Sequence, residues 1–304
     1  MTSDRDIAFF KQPNGLHMSL FKHMNHNMSS RTALLLVFVC PFLWAIKGVL
    51  IKLIDWNPFA IAGIRSFTTA LVILLWLRGR PKFTFSFYQI GAALLYATFY
   101  IMMVNAFKFT TAANAAFLFY TNPIYTALLS PFFLREPIKK YDWLVIFSTL
   151  VGMSLFFCDQ LSLQGLQGNL LAIIAAVLNA IFFIFSRLQK DTSPLESYLL
   201  GEVLIFSIGL PFILKSEPGG IGWPGLITMG ILLGITAIIL ATAFKIALVT
   251  MLEPVLTSFL VMFVVGEKPA PWAIVGACVI MVSIFFHTIL SFKKADQPIL
   301  PAQI

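Results

Sequence analysis

The chain has 304 residues, 59% hydrophobic and 11% charged, with a mean hydropathy of +0.89. A soluble domain is about 25% charged, so this composition excludes a water-soluble fold for most of the chain and makes the lipid bilayer its main partner. The net charge of +8 does not mark a nucleic-acid binder, because the basic residues lie scattered between apolar runs and build no basic face.

Residues 1–30 are polar and carry His17, His23 and His26. They read as a cytoplasmic tail, since a cleavable leader places its apolar run much earlier. No carboxylates or turn residues converge on these histidines to suggest a metal site. A spanning helix needs about 20 mostly apolar residues. Such runs follow near 33–54, 57–79, 88–110, 112–134, 141–159, 168–188, 194–215, 223–245, 248–267 and 272–292. The expected fold is therefore all-α, an integral membrane protein of ten transmembrane helices. Its links are short and carry Pro, Gly or Asp, as in Asp55-Trp56-Asn57-Pro58 and Glu217-Pro218-Gly219-Gly220. Cys40, Cys158 and Cys278 sit singly in distant apolar runs, with no CxxC, and read as inert buried thiols.

Orientation follows from Lys and Arg. With the N-terminus inside, Arg78, Arg80, Lys82, Arg135, Lys139, Lys140, Arg187, Lys190, Lys293 and Lys294 fall on the cytoplasmic side, and only Lys108, Lys215 and Lys268 fall outside. Both termini are then cytoplasmic, in a multi-pass protein of the cytoplasmic membrane.

The pattern is written twice. Asn122-Pro123 precedes Glu136-Pro137 as Glu253-Pro254 precedes Glu267-Lys268-Pro269, and Ala106-Phe107-Lys108 recurs as Ala243-Phe244-Lys245. The chain divides into a tail (1–30), two five-helix repeats (31–160 and 161–292) and a second tail (293–304). Five is odd, so the second repeat enters the membrane upside down. A five-plus-five inverted repeat allows two mirror-related shapes, the basis of alternating access. The copies are offset by 137 residues at Ala106 and by 131 at Pro123, so the link between Lys245 and Glu253 is shortened.

These residues resemble the drug/metabolite transporter superfamily, specifically its ten-helix EamA-type branch. The matching pieces are Trp44 and Lys52 in the first span, Pro58 and Arg65 in NPFAIAGIRSFTTA, the paired NP and EP turns with Glu136 and Glu267, and Gly276-Ala277. The resemblance covers residues 33–292. It implies a central cavity lined by spans 1, 3, 4, 6, 8 and 9, and export or exchange of small metabolites.

Several residues are candidates for that chemistry. Pro123 and Pro254 lack an N–H, which frees the carbonyls of Phe119 and Thr250 to face a cavity or to be satisfied by a neighbouring helix. Glu253 is a candidate proton-coupling group, because a carboxyl inside a span needs a cavity or a partner. Lys47 and Arg65 lie at similar depth on adjacent helices and suit a substrate carboxylate. The plainer alternatives are that Lys47 snorkels outward and that Arg65 caps the first turn or pairs with Asp55. Asn105, Asn122 and Asn179 offer donor and acceptor together. Trp44, Tyr96, Tyr100 and Tyr120 are candidates for aromatic cavity walls. Arg65, Pro123, Pro254, Glu136 and Glu267 read as structural or gating residues, and Glu202 and His287 as structural residues in spans outside the expected cavity. Gly230-x-x-x-Gly234 permits close helix approach.

The expected function is a secondary transporter for an amino acid or related small metabolite. A channel or receptor is the alternative, and an intramembrane enzyme ranks below it. There is no HExxH, GxSxG or Walker-type loop. No cofactor or metal is implied. Both halves lie in one chain, so a monomer suffices.

Overall fold

The computed structural model describes residues 30–134, 165–189, 194–242 and 253–266 continuously, with separate helical positions between 143 and 155 and between 271 and 283. The described residues are almost entirely helical. Among the continuously described residues nine helices are α1 (Ser30–Leu53), α2 (Pro58–Trp76), α3 (Phe87–Phe109), α4 (Ala112–Phe119), α5 (Asn122–Phe133), α6 (Leu166–Leu188), α7 (Pro194–Ile213), α8 (Gly222–Thr242) and α9 (Glu253–Val264). Five of them, α2, α3, α6, α7 and α8 (over Gly222–Ile239), are long and apolar enough to cross a membrane.

Local chemistry sets the starts. Pro58 opens α2 where its missing N–H costs nothing, and the Asn57 side chain accepts from the Phe59 N–H at 2.9 Å. Ser86 caps α3 and Thr111 caps α4, each accepting from the N–H three residues on at 3.2 Å. The expected span 112–134 is instead two short helices. Pro123 cannot donate, so the helix stops before it. The Leu118 carbonyl takes the Thr121 N–H at 3.2 Å and the Thr121 hydroxyl at 2.6 Å, and α5 begins afresh at Asn122. The link between Lys245 and Glu253 and the Thr250 carbonyl lie outside the described residues. So do Glu136, Glu267 and His287.

The helices pack through small residues. α2 runs between α7 and α8, α3 lies along α6, and α1 contacts α8 and α9. On the α2–α7 crossing, a Cβ added to Gly209 would stand 2.7 Å from the Gly63 Cα and the Phe59 carbonyl oxygen. Phe59 stacks on Phe212 at 4.8 Å and Phe67 tilts against Phe206 at 5.0 Å, so the two helices run antiparallel. Gly230 and Gly234 of α8 face Thr68 and Val72 of α2, as their spacing predicts.

The helix ends on one side are tied together. Ile54 and Asp55 (β1) pair antiparallel with Gly220 and Gly219 (β2), joining the α1–α2 link to the α7–α8 link. Trp56 donates to the Ser216 hydroxyl at 2.8 Å and packs edge-on against Trp223. Lys52 donates to the Thr110 carbonyl at 2.7 Å, Lys108 to the Ile54 carbonyl, and Thr110 to Asn169 at 2.7 Å. The outer surface is apolar, with Leu75, Phe87, Phe132 and Leu214 each more than 70% exposed. Such a surface is solvated by lipid, and the protein is a multi-pass membrane protein.

Gly209→Val overpacks the α2–α7 crossing against backbone that cannot yield. It should destabilise the detergent-solubilised protein by at least about 3 kcal/mol. Gly91→Ala, which meets only the Phe185 ring, should lower the thermal midpoint less.

Candidate functional site

Among the described residues two ion pairs are buried inside the helix bundle. In the first, Lys47 of α1 donates to Glu253 Oε1 at 3.1 Å, and the Tyr120 hydroxyl donates to Glu253 Oε2 at 2.6 Å. Glu253 is the first residue of α9, and Tyr120 sits in the break between α4 and α5. The helix break thus places a hydroxyl where an unbroken helix would carry on past the site. Trp44 lies one turn before Lys47. Its indole N–H donates to Thr236 of α8 at 3.2 Å, and the Lys47 ammonium stands 6.0 Å from its ring.

In the second pair, Arg65 Nη1 of α2 donates to Glu202 Oε1 of α7 at 2.6 Å. The Tyr96 hydroxyl donates to the same oxygen at 2.6 Å, and the guanidinium carbon stands 3.5 Å above the Tyr100 ring. Arg65 is fully buried and Glu202 is 1% exposed. Among the described residues, Arg65 Nε and Nη2, Glu202 Oε2 and the Tyr100 hydroxyl make no hydrogen bond.

The structure therefore brings together Trp44, Lys47, Tyr120 and Glu253, and separately Arg65, Tyr96 and Tyr100. Lys47 does not snorkel outward but turns to Glu253. Arg65 pairs with Glu202, not with Asp55. Asn105 spends its amide on the Ile101 carbonyl of its own helix at 2.8 Å. Asn179 is buried within α6, and Asn122 is partly exposed at the start of α5, where its carbonyl accepts from Thr126. Pro123 sits in the first turn of α5 and Pro254 in the first turn of α9.

Glu202 was legible only as a structural residue in the sequence. The signal that finds it is a charge balance: with Lys52 at the edge of its span, Lys47 and Arg65 are the cations deep within spans, and only Glu202 and Glu253 are acids at comparable depth. An intramembrane charge requires a partner, so two cations and two anions form two pairs.

Arg65→Met leaves the Glu202 carboxylate buried without its cation and should cost about 3–5 kcal/mol. Tyr96→Phe removes one hydrogen bond to a charged group and should cost about 1.5–3 kcal/mol. Arg65→Met combined with Glu202→Gln should cost less than Arg65→Met alone, because no orphan charge remains. Thermal unfolding in detergent checks the order.

The chain matches the EamA-like transporter family twice, over residues 31–158 and 166–289. It is 24% identical over 295 residues to an uncharacterized transporter of Archaeoglobus fulgidus, covering 86% of this chain and 98% of that protein. It is 23% identical to the uncharacterized transporter YoaV of Bacillus subtilis, covering 81% of this chain and 93% of that one. A solved crystal structure shares the fold, with a TM-score of 0.61 and 19% identity over 86% of this chain and 99% of the other. The paired halves predicted from the NP and EP turns are two copies of one family unit, and the protein belongs to the EamA-like transporter family.

Proposed function

We propose that the protein is a secondary transporter that moves a small metabolite, an amino acid or related compound, across the cytoplasmic membrane by alternating access between two inverted five-helix halves. The observation that carries this reading is the buried Lys47–Glu253 pair, closed by Tyr120 at a broken helix. Discontinuous helices with a charge at the break are where secondary transporters hold substrates and coupling ions.

The repeat of helix starts supports the inverted architecture of ten helices. α1 and α6 begin 136 residues apart, α2 and α7 136, α3 and α8 135, and α5 and α9 131. The antiparallel α2–α7 crossing fits a two-fold axis in the membrane plane, with the halves divided as 31–160 and 161–292. The distribution of Lys and Arg supports cytoplasmic termini.

At the site, a substrate carrying a carboxylate and an ammonium replaces one ion pair by two. The carboxylate takes Lys47 and the ammonium takes Glu253, so no buried charge is orphaned. Trp44 and Tyr120 supply aromatic walls. A proton on Glu253 also parts it from Lys47, whose ammonium is then matched by the substrate carboxylate, and this couples transport to a proton gradient.

Counterflow in proteoliposomes tests this, using radiolabelled amino acids, nucleobases and sugars with and without a pH gradient. One amino-acid class should exchange, and a gradient should accelerate it. Glu253→Gln should abolish the acceleration. Lys47→Met should weaken carboxylate-bearing substrates by at least about tenfold. Gradient-driven uptake unchanged in Glu253→Gln removes the coupling role, and unchanged affinity in Lys47→Met removes the anchor.

A further inference from the structure

The two buried ion pairs stand differently with respect to the repeat. Both join the first half to the second. In an inverted repeat the access switch exchanges the shapes of the halves, so each contact between halves in one state gives way to its image in the other. The image of Lys47, read at the helix offsets of 135 to 137, is Phe182, Phe183 or Ile184, and the image of Glu253 is Asn122. An apolar side chain and a neutral amide form no ion pair. Arg65 and Glu202, by contrast, are 137 residues apart, while Pro58 and Pro194, which open their helices, are 136 apart. Each is therefore within one residue of being the other's counterpart, and their contact maps nearly onto itself.

The state in hand is also defined. Among the described residues, the helix ends on the side of the β1–β2 ladder are joined by the Trp56–Ser216, Lys52–Thr110 and Thr110–Asn169 bonds. Lys47 lies six residues from that end of α1, roughly 9 Å along its axis.

Resting on the inverted-repeat reading above, we propose that Lys47–Glu253 is a one-sided lock, present only while the ladder side is closed, and that Arg65–Glu202 is an axle kept in both access states. Substrate that parts Lys47 from Glu253 does more than bind. It removes the contact that distinguishes the two states and so permits the switch. Lys47 and Glu253 touch the substrate, whereas Arg65 and Glu202 act as positioning residues.

The test uses single-cysteine reporters at Val49, near the ladder end of α1, and at Ser186, near the far end of α6, with Cys40, Cys158 and Cys278 replaced by serine. A membrane-impermeant maleimide is applied to each face of oriented vesicles. Neutralising the lock as Lys47→Met with Glu253→Gln should raise labelling at 49 relative to 186 by at least about fivefold. The charge swap Lys47→Glu with Glu253→Lys should restore the original ratio. Neutralising the axle as Arg65→Met with Glu202→Gln should lower the thermal midpoint and leave the ratio within about twofold. Should that variant not fold, Arg65→Lys is read in its place. An unmoved ratio in the lock variant, or an equal shift in the axle variant, overturns the proposal. Counterflow in vesicles of the single-cysteine protein with Lys47 and Glu253 intact separates the two readings. Exchange with an unmoved ratio overturns the lock alone, and exchange of no member of the substrate panel overturns the transporter and the lock together.

Discussion

A charge in hydrocarbon must be matched, and this requirement organises the bundle. Each charged residue at mid-depth costs on the order of 3 kcal/mol on insertion scales when it stands alone. Here Lys47, Arg65, Glu202 and Glu253 cancel in two pairs. Arg65 and Glu202 bind α2 to α7, with Tyr96 reaching in from α3. Lys47 and Glu253 bind α1 to α9, with Tyr120 reaching in from the break after α4. Helices that lipid gives no reason to associate are thus held by a few polar contacts.

Those contacts depend on small residues beside them. Gly201 precedes Glu202, and a Cβ there would stand 2.5 Å from the Tyr96 ring. Only glycine lets that ring lie flat enough against α7 for its hydroxyl to reach the carboxylate. Gly63 and Gly209 do the same for the backbones of α2 and α7, which brings Arg65 within reach of Glu202. Gly48, one residue after Lys47, admits Thr257 of α9 and the Phe107 ring, setting α1 close to the helix that carries Glu253. Removal of side-chain volume is therefore part of the charge chemistry, because a salt bridge between helices forms only at the distance their packing permits.

The helices were largely legible in the sequence, because apolar runs, caps and link residues are local signals. The starts of α2, α3, α6, α7 and α8 fall within two residues of the expected spans. The break before Pro123 was legible as a fault in a helix. That it divides the span in two depends on Thr121 taking the Leu118 carbonyl, a side-chain choice that propensity does not reveal. At the site, Lys47, Tyr120 and Glu253 stood out as charges and rings at suggestive depth, but their meeting is a long-range contact. For Arg65 the readings open in the sequence were a substrate carboxylate, a cap on the first turn and a pair with Asp55, the nearest acid along the chain; Glu202 was not among them. Proximity along the chain misled there, because Asp55 lies at the water-facing link, where pairing is worth little, while Glu202 is buried at the crossing.

A buried ion pair is a poor way to gain stability, since well-packed apolar residues of similar volume do as well or better. The Arg65 site makes the point sharply, because Arg65 Nε and Nη2, Glu202 Oε2 and the Tyr100 hydroxyl are buried there without a hydrogen bond among the described residues. Each such atom costs about 1–3 kcal/mol in lost hydration. A bundle that only had to stay folded would place leucine or methionine at these positions. A bundle whose halves must rock needs contacts that are directional, that survive or break as a unit, and that cannot be traded for a neighbouring apolar surface. An apolar crossing slides among many packings of similar energy, whereas a salt bridge in hydrocarbon has one partner and one register. On the proposed rocking of the two halves, the charges at the α2–α7 crossing and at the α1–α9 contact specify how the halves sit relative to one another, and the glycines beside them allow those positions to be reached.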